Sequence, residues 1–243
     1  MHPKKVALVT GANKGIGFEI GRQLCREGFS VLIAARDEKK SSEAAAKLKS
    51  EGLDAHGIVL DVSNAKTVAN AAKTIGERFG RLDVLVNNAG IGPEFVTHPK
   101  PSELKMDTLR ETFETNFFGA FTVIQAMLPL LKKSPSARIV NQSSTLGSLG
   151  ALSDASNPMY GINVMAYSAS KSALNMLTVS FAKELAAEKI SVNTVCPGWV
   201  KTEMGGEGAP RSVEQGAAIA VKLASMESPP TGKYLDDAGE IRW

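Results

Sequence analysis

Short apolar runs alternate with longer amphipathic stretches along most of this chain. Residues 6–9, 30–35, 55–60, 82–86, 138–142 and 190–195 are rich in Val, Ile and Leu, without the polar alternation of a half-exposed sheet. That pattern predicts strands covered on both faces, as in a parallel sheet. Between them, residues 15–27, 38–50, 65–79 and 164–188 carry apolar positions at helical spacing. Residues 104–132 predict two more helices that part near Thr115 and Asn116, and a late strand at 232–235 completes the series. Repeated strand–helix–strand units imply right-handed crossovers. The prediction is therefore an α/β fold, a Rossmann-type doubly wound parallel sheet of about seven strands with helices on both faces. No linker or repeat divides the pattern, so residues 1–243 are predicted to form a single domain.

Two segments break this rhythm. Residues 145–163 carry Gly, Ser, Asp and Pro, and residues 198–211 hold four glycines and a proline. Both follow strands, at the carboxyl edge where open α/β sheets bind ligands. Long loops in compact domains are more often functional than mere connections.

Composition narrows the function classes. The chain is 43% hydrophobic and 22% charged, with a formal charge of +3, which is ordinary for a globular protein. Lys and Arg form no long block, so nucleic-acid binding is not indicated. Cys25 and Cys196 lie far apart without metal-like spacing, and His2, His56 and His98 are dispersed, so no metal site is predicted. Both cysteines read as small packed hydrophobes. No apolar stretch reaches membrane-spanning length, and the first residues run into a strand without a signal-peptide core. The expectation is a cytoplasmic protein with no membrane partner.

The first strand ends in Thr10-Gly11-Ala12-Asn13-Lys14-Gly15-Ile16-Gly17, where a helix begins. Glycines there let the backbone turn tightly and approach a pyrophosphate, while the helix N-terminus offers unpaired N–H groups to the anion. An NAD site of this kind usually ends the second strand with an acid that holds both ribose hydroxyls. Here the strand closes Ala34-Ala35-Arg36. A guanidinium can bind the 2′-phosphate of NADP through paired hydrogen bonds, and Lys14 could add a second positive charge. Asp37 reads better as the N-cap of the helix that follows. The charge pattern thus favours NADPH/NADP as cofactor. Asp61-Val62 after the third strand is placed to meet the adenine, and Asn87-Asn88-Ala89-Gly90 ends the fourth.

Tyr167 and Lys171 stand four residues apart in Tyr-Ser-Ala-Ser-Lys, so both project from one face of a helix. A free phenol has a pKa of about 10. A neighbouring ammonium favours the phenolate and brings the group toward the range useful for proton transfer.

Together, Thr10–Gly17, Asn87–Gly90, Asn116, Ser144, Tyr167, Lys171 and the Pro197-Gly198 turn with Thr202 resemble the short-chain dehydrogenase/reductase family over nearly the whole chain. The resemblance implies that Tyr167 passes a proton to or from the substrate oxygen. It implies that Lys171 lowers the tyrosine pKa and binds the nicotinamide ribose. Ser144 would hydrogen-bond the substrate carbonyl, and Asn116 would interrupt its helix and hold a water that links Lys171 to solvent. Ser143 is the rival serine; Ser144 fits the family spacing to Gly147. The implied cofactor contacts are Gly11, Asn13, Lys14, Gly15, Ile16 and Gly17 in the first loop, Arg36, Asp61 and Val62 around the adenosine, and Asn88, Ala89 and Gly90 beyond the fourth strand. Pro197, Gly198, Val200 and Thr202 would close over the nicotinamide end.

Within the family, Asn13-Lys14-Gly15, Ala35-Arg36-Asp37 and Gly232-Lys233-Tyr234 are similar to the monomeric carbonyl reductases. The segment between Ser144 and Tyr167 is longer than in most members, and carbonyl reductases also carry an insertion there. Such a segment beside the tyrosine helix could block the family's usual oligomer packing, so a monomer is expected over a dimer or tetramer. Phe95, Met159, Trp199 and Met204 are the pocket candidates beside Ser144 and Tyr167. Apolar lining suits a medium-sized hydrophobic ketone or aldehyde. The implied activity is NADPH-dependent reduction of a small-molecule carbonyl substrate to an alcohol. The alternatives are reduction of a 3-oxoacyl thioester or a sugar, and a non-catalytic nucleotide sensor on the same fold.

Overall fold

A computed structural model describes residues 4–243; His2 lies outside the described residues. The elements run β1 (Val6–Val9), α1 (Gly15–Arg26), β2 (Ser30–Ala35), α2 (Glu38–Ser50), β3 (Ala55–Val59), α3 (Ala65–Phe79), β4 (Val84–Asn87), α4 (Met106–Phe113) and α5 (Gly119–Leu131). They continue with β5 (Arg138–Gln142), α6 (Leu149–Leu152), α7 (Met165–Glu184), β6 (Ser191–Val195), α8 (Val213–Ser225), β7 (Tyr234–Asp236) and β8 (Gly239–Glu240). All strands join one sheet in the order β3-β2-β1-β4-β5-β6-β7-β8. The pairs from β3 to β7 are parallel, and only β8 is antiparallel. The eighth strand is a correction to the expected seven. It is a two-residue return after β7, too short to leave a periodic signal.

Strand residues alternate between two cores. Leu8, Leu32, Leu85, Ile139 and Val192 meet α3, α5 and α7 on one face. Ala7, Val9, Val31, Ile33, Val86 and Val140 meet α1, α2 and α8 on the other. Both sides are dry, which is why these strands are apolar throughout rather than alternating. Between β1 and β4 the order of the sheet reverses, and the crevice that opens there receives the glycine loop.

Local chemistry explains several helix starts. Asp37 caps α2 as expected, accepting from the Lys40 amide at 2.8 Å. Asn64 caps α3 through the Lys66 and Thr67 amides. The sequence reading left α8 unassigned, although Ser212 and Gln215 form a reciprocal capping box at its start. The 104–132 stretch holds two helices as expected, α4 and α5, which part at a π-turn, Glu114–Phe118, that contains Thr115 and Asn116. Wider turns of this kind concentrate at functional sites.

Candidate active site

The glycine loop is built to bring a ligand against backbone. Gly11 and Gly15 adopt φ of +61° and +56°, which L side chains rarely take. A Cβ on Gly11 would stand 2.9 Å from Ala89 Cα, and one on Gly17 would stand 2.6 Å from the Gly11 carbonyl oxygen. Asn88 staples the loop: its side-chain amide donates to the carbonyls of Thr10 at 2.9 Å and Gly11 at 3.2 Å. Thr10 Oγ1 in turn accepts from the Asn88 and Ala89 amides. No side chain caps α1, whose N-cap is Lys14, so its first amides remain for an anion. This cradle fits a dinucleotide pyrophosphate.

Around it, the adenosine candidates separate. Arg36 is exposed at the end of β2. Lys14 is exposed too, but its ammonium pairs with Glu203 of the 198–211 loop, which holds that carboxyl below the usual range. Asp61 Oδ1 accepts from the Ser63 amide and hydroxyl, and Val62 packs under Gly119 rather than standing free. Thr202 reaches the loop from the opposite side: a Cβ on Gly15 would lie 3.6 Å from its methyl.

Tyr167, Lys171, Ser144 and Asn116 converge at the carboxyl edge of β4 and β5. Lys171 is 3% exposed, and its ammonium donates to the Gln142 carbonyl at 2.7 Å. Burial pulls its pKa down to about 8. Its Nζ also lies 5.6 Å from the centre of the Tyr167 ring. Tyr167 is 7% exposed. The expectation that its pKa falls is not what this environment produces. Desolvation raises the phenol above its ordinary value, and the Ser144 hydroxyl opposes this only in part. Near neutral pH the phenol is protonated, the form a proton donor needs.

The two serines separate by burial. Ser143 is buried with no partner for its hydroxyl, whereas Ser144 is half-exposed toward the site. The Asn116 side chain is fully engaged: it accepts from the Ile91 amide and donates to the Ile91 carbonyl and Ser170 Oγ at 2.8–3.0 Å. A Cβ on Gly90 would meet both Asn116 Oδ1 and Lys171 Nζ, so the three residues are close neighbours. Asn116 sits inside the π-turn, where helix bonding is irregular.

The pocket candidates divide. Phe95 stands edge-to-face on Tyr167 at 4.9 Å, and Met159 packs in the same apolar cluster. Leu146, Leu152 and Val164, which were not singled out from the sequence, belong to it as well. Trp199 and Met204 stay exposed on the late loop; the Trp199 indole N–H donates to the Gly205 carbonyl at 2.7 Å. Pro197 is buried and Val200 packs against α8 at Gly216.

Long-range supports hold the catalytic segment. Tyr234 donates its hydroxyl to the Ser144 carbonyl and stacks on Trp243. Ser148 Oγ and the Gly150 amide donate to the carbonyls of Arg242 and Trp243, which pins the inserted segment. Behind the site, Asn87 donates to Asn141, and Asn141 and Thr194 both donate to Thr178, a buried chain across β4, β5, α7 and β6. None of these pairings leaves a local sequence signal. Among the described residues, no group of three or more His, Cys, Asp or Glu side chains could hold a metal ion. Both cysteines are free and buried, and burial pushes the Cys25 thiol up to about 12.

This geometry has counterparts among known proteins. A family model described as short chain dehydrogenase matches residues 5–212. The chain is 38% identical over 248 residues to the short-chain dehydrogenase anuI of Penicillium roqueforti, covering 98% of this chain and 96% of that protein. It is 34% identical over 279 residues to carbonyl reductase (NADPH) 1 of Sus scrofa, covering 98% and 94%. Among solved structures, the NADPH-bound carbonyl reductase from chicken fatty liver superposes with a TM-score of 0.87 at 30% identity, covering 99% of each chain. The nearly complete match, in sequence and in fold, places the chain in the short-chain dehydrogenase family.

Proposed function

We propose that this protein is an NADP(H)-dependent carbonyl reductase, a single catalytic domain over residues 1–243, acting on medium-sized hydrophobic ketones or aldehydes. The observation that carries the reading is the buried Tyr167 hydroxyl beside half-exposed Ser144, facing an apolar cluster with Lys171 directly behind. Carbonyl reduction by similar proteins supports it. Gly11 to Gly17, with Asn88, Ala89 and Gly90, would hold the pyrophosphate side of the cofactor. Arg36 would take the 2′-phosphate, with Asp61 and Val62 at the adenine and Pro197, Gly198, Val200 and Thr202 at the nicotinamide end. When bound, the reduced nicotinamide supplies a hydride to the substrate carbonyl carbon. Ser144 donates a hydrogen bond to the substrate oxygen and stabilises its developing charge. Tyr167 gives its proton to that oxygen, and Lys171 stabilises the phenolate left behind. Phe95, Met159 and the neighbouring aliphatic side chains exclude water and favour an apolar substrate.

The test is turnover on a panel of aromatic and alicyclic ketones, aldehydes, 3-oxoacyl thioesters and sugars, run with NADPH and with NADH. The expected result is preference for hydrophobic carbonyls and for NADPH. Strong thioester or sugar preference would overturn the substrate assignment, and absence of turnover throughout would favour a nucleotide sensor. In the same panel, Arg36→Glu should raise KM for NADPH by about 10- to 100-fold, the loss of charge-assisted bonds to one phosphate. An unchanged KM would remove Arg36 from the cofactor site.

The protein is a monomer in this reading, in a cytoplasmic setting. The inserted segment beside the start of α7 supports it. No helix among the described residues is long and apolar enough to cross a membrane. Phe118 of the π-turn, Phe121 of α5 and Met176 of α7 are exposed, and a dimer through that face would cover them. Sedimentation should give one species near 25.7 kDa; a stable dimer or tetramer at low concentration would contradict the monomer.

A further inference from the structure

We infer that Glu94 is a positioning residue for Tyr167, supplying from a distant turn the N-cap that the catalytic helix lacks. The inference depends on the carbonyl-reductase reading for its kinetic consequence, but not for its structural one. Helix α7 starts at Met165, and its N-cap residue is Val164. Valine has no side-chain acceptor, and no side chain of the cap bonds back to the helix. The first intrahelical bond runs from the Ser168 amide to the Val164 carbonyl. The amides of the first turn therefore need partners from elsewhere, as at every helix start. Tyr167 occupies the third helical position, whose N–H a Ser, Thr or Asp cap ordinarily takes.

Glu94 takes it here. Its Oε2 accepts from the Tyr167 amide at 2.8 Å, across 73 residues of sequence. The residue sits in the turn Pro93–Phe95, is 1% exposed, and its Oε1 has no protein partner. Burying a carboxylate is costly unless its charge is compensated. The positive end of α7 provides that compensation, together with a charge-assisted bond stronger than a neutral one. The next residue clamps the same tyrosine from the side: Phe95 packs edge-to-face on its ring at 4.9 Å. The close fit of this turn shows at Gly92, where a Cβ would stand 2.4 Å from the Phe95 ring and 3.3 Å from the Tyr167 ring. One turn thus fixes the backbone and the ring of the proton donor at once. Without the amide bond, the first turn of α7 frays and the phenol moves relative to Ser144 and Lys171.

The experiment compares Glu94→Ala, Glu94→Gln, and Glu94→Ala combined with Val164→Thr. Three readouts are taken: single-turnover reduction, NADPH affinity, and hydrogen exchange of the Tyr167 amide. Glu94→Ala should slow reduction by about 10²-fold, the effect of roughly 1 Å of misplacement. NADPH affinity should stay within about twofold, since the Glu94 carboxyl bonds the Tyr167 amide and none of the cradle residues. Exchange of the Tyr167 amide should accelerate. Glu94→Gln keeps an acceptor oxygen and should lose only about threefold, because a neutral acceptor bonds about half as strongly. Val164→Thr offers a local cap of the same shape and should recover part of the rate and of the protection. Full activity with unchanged exchange in Glu94→Ala would overturn the inference, as would equal losses in the Gln and Ala variants. If the wild type reduces no carbonyl, the proposed function fails, and the exchange measurement still decides whether Glu94 caps the helix.

Discussion

Replacing Tyr167 with Phe should slow carbonyl reduction by about 10²- to 10⁴-fold, the range that a positioned proton donor contributes. The substitution removes one hydroxyl and little else. The ring stays, and with it the edge-to-face contact with Phe95 at 4.9 Å and the backbone bond to Glu94. The glycine cradle and the Lys171 bond to the Gln142 carbonyl are also untouched, so NADPH affinity should survive. Because a phenol is protonated near neutral pH, the variant loses a donor and not a standing charge. Stopped-flow absorbance of NADPH measures the rate, and cofactor fluorescence measures binding. A variant with full activity would show that the substrate oxygen takes its proton from another group.

Lys171→Met should separate activity from stability in the opposite way to most core substitutions. Lys171 has its pKa lowered from 10.5 to about 8, so near pH 7 the fold carries a buried ammonium. That shift corresponds to about 3 kcal/mol favouring the unfolded chain, as an order of magnitude. Methionine fills a similar volume without charge, but it leaves the Gln142 carbonyl without its donor, which costs about 1–3 kcal/mol. The balance lies between zero and roughly 2 kcal/mol of added stability, a rise of up to several degrees in Tm. Reduction should nonetheless fall by about 10²-fold or more, because the phenolate formed on proton transfer loses the ammonium beside it.

The sign of the pH dependence follows from the same group. Between about pH 8 and 10.5 the unfolded chain binds the Lys171 proton more tightly than the folded one, so stability from this group rises with pH. Below that window the burden is fully present; above it, absent. The Tm of Lys171→Met relative to the wild type should therefore be most favourable near pH 7 and turn into a deficit as pH rises through the window, where only the lost bond to the Gln142 carbonyl remains. Thermal melts at the two ends check this. A Tm that drops by many degrees near pH 7, or a variant of near-normal activity, would contradict the assignment.

What could be read from the residues alone was local. The glycine loop, the apolar strands and the Asp37 cap each depend on neighbours a few positions away, and each is where the pattern placed it. Tyr167 and Lys171 share a helix face for the same reason. The misses are of two kinds. Helix α8 carries a local Ser212–Gln215 capping box, placed directly after a glycine-rich loop. The others are contacts between distant segments, which no window of sequence contains. Glu94 against Tyr167, Tyr234 against Ser144, and the 242–243 segment against the insertion all belong to this class. Lys14 shows the limit from the other side. Its place in the loop was legible, but its ion pair with Glu203 depends on how the late loop folds back. The tyrosine pKa depends on enclosure as well as on the ammonium one turn away, and burial of the phenol raises it.

The central claim is that the Tyr167 hydroxyl hands its proton to a carbonyl oxygen held by Ser144 above the nicotinamide. A crystal structure of the ternary complex with NADP+ and a bound unreactive ketone analogue tests it most directly. The prediction is a carbonyl oxygen about 2.6–3.2 Å from both the Tyr167 and Ser144 hydroxyls, with Lys171 behind the tyrosine. A ketone bound elsewhere, or a Tyr167 hydroxyl beyond reach of its oxygen, would contradict the account.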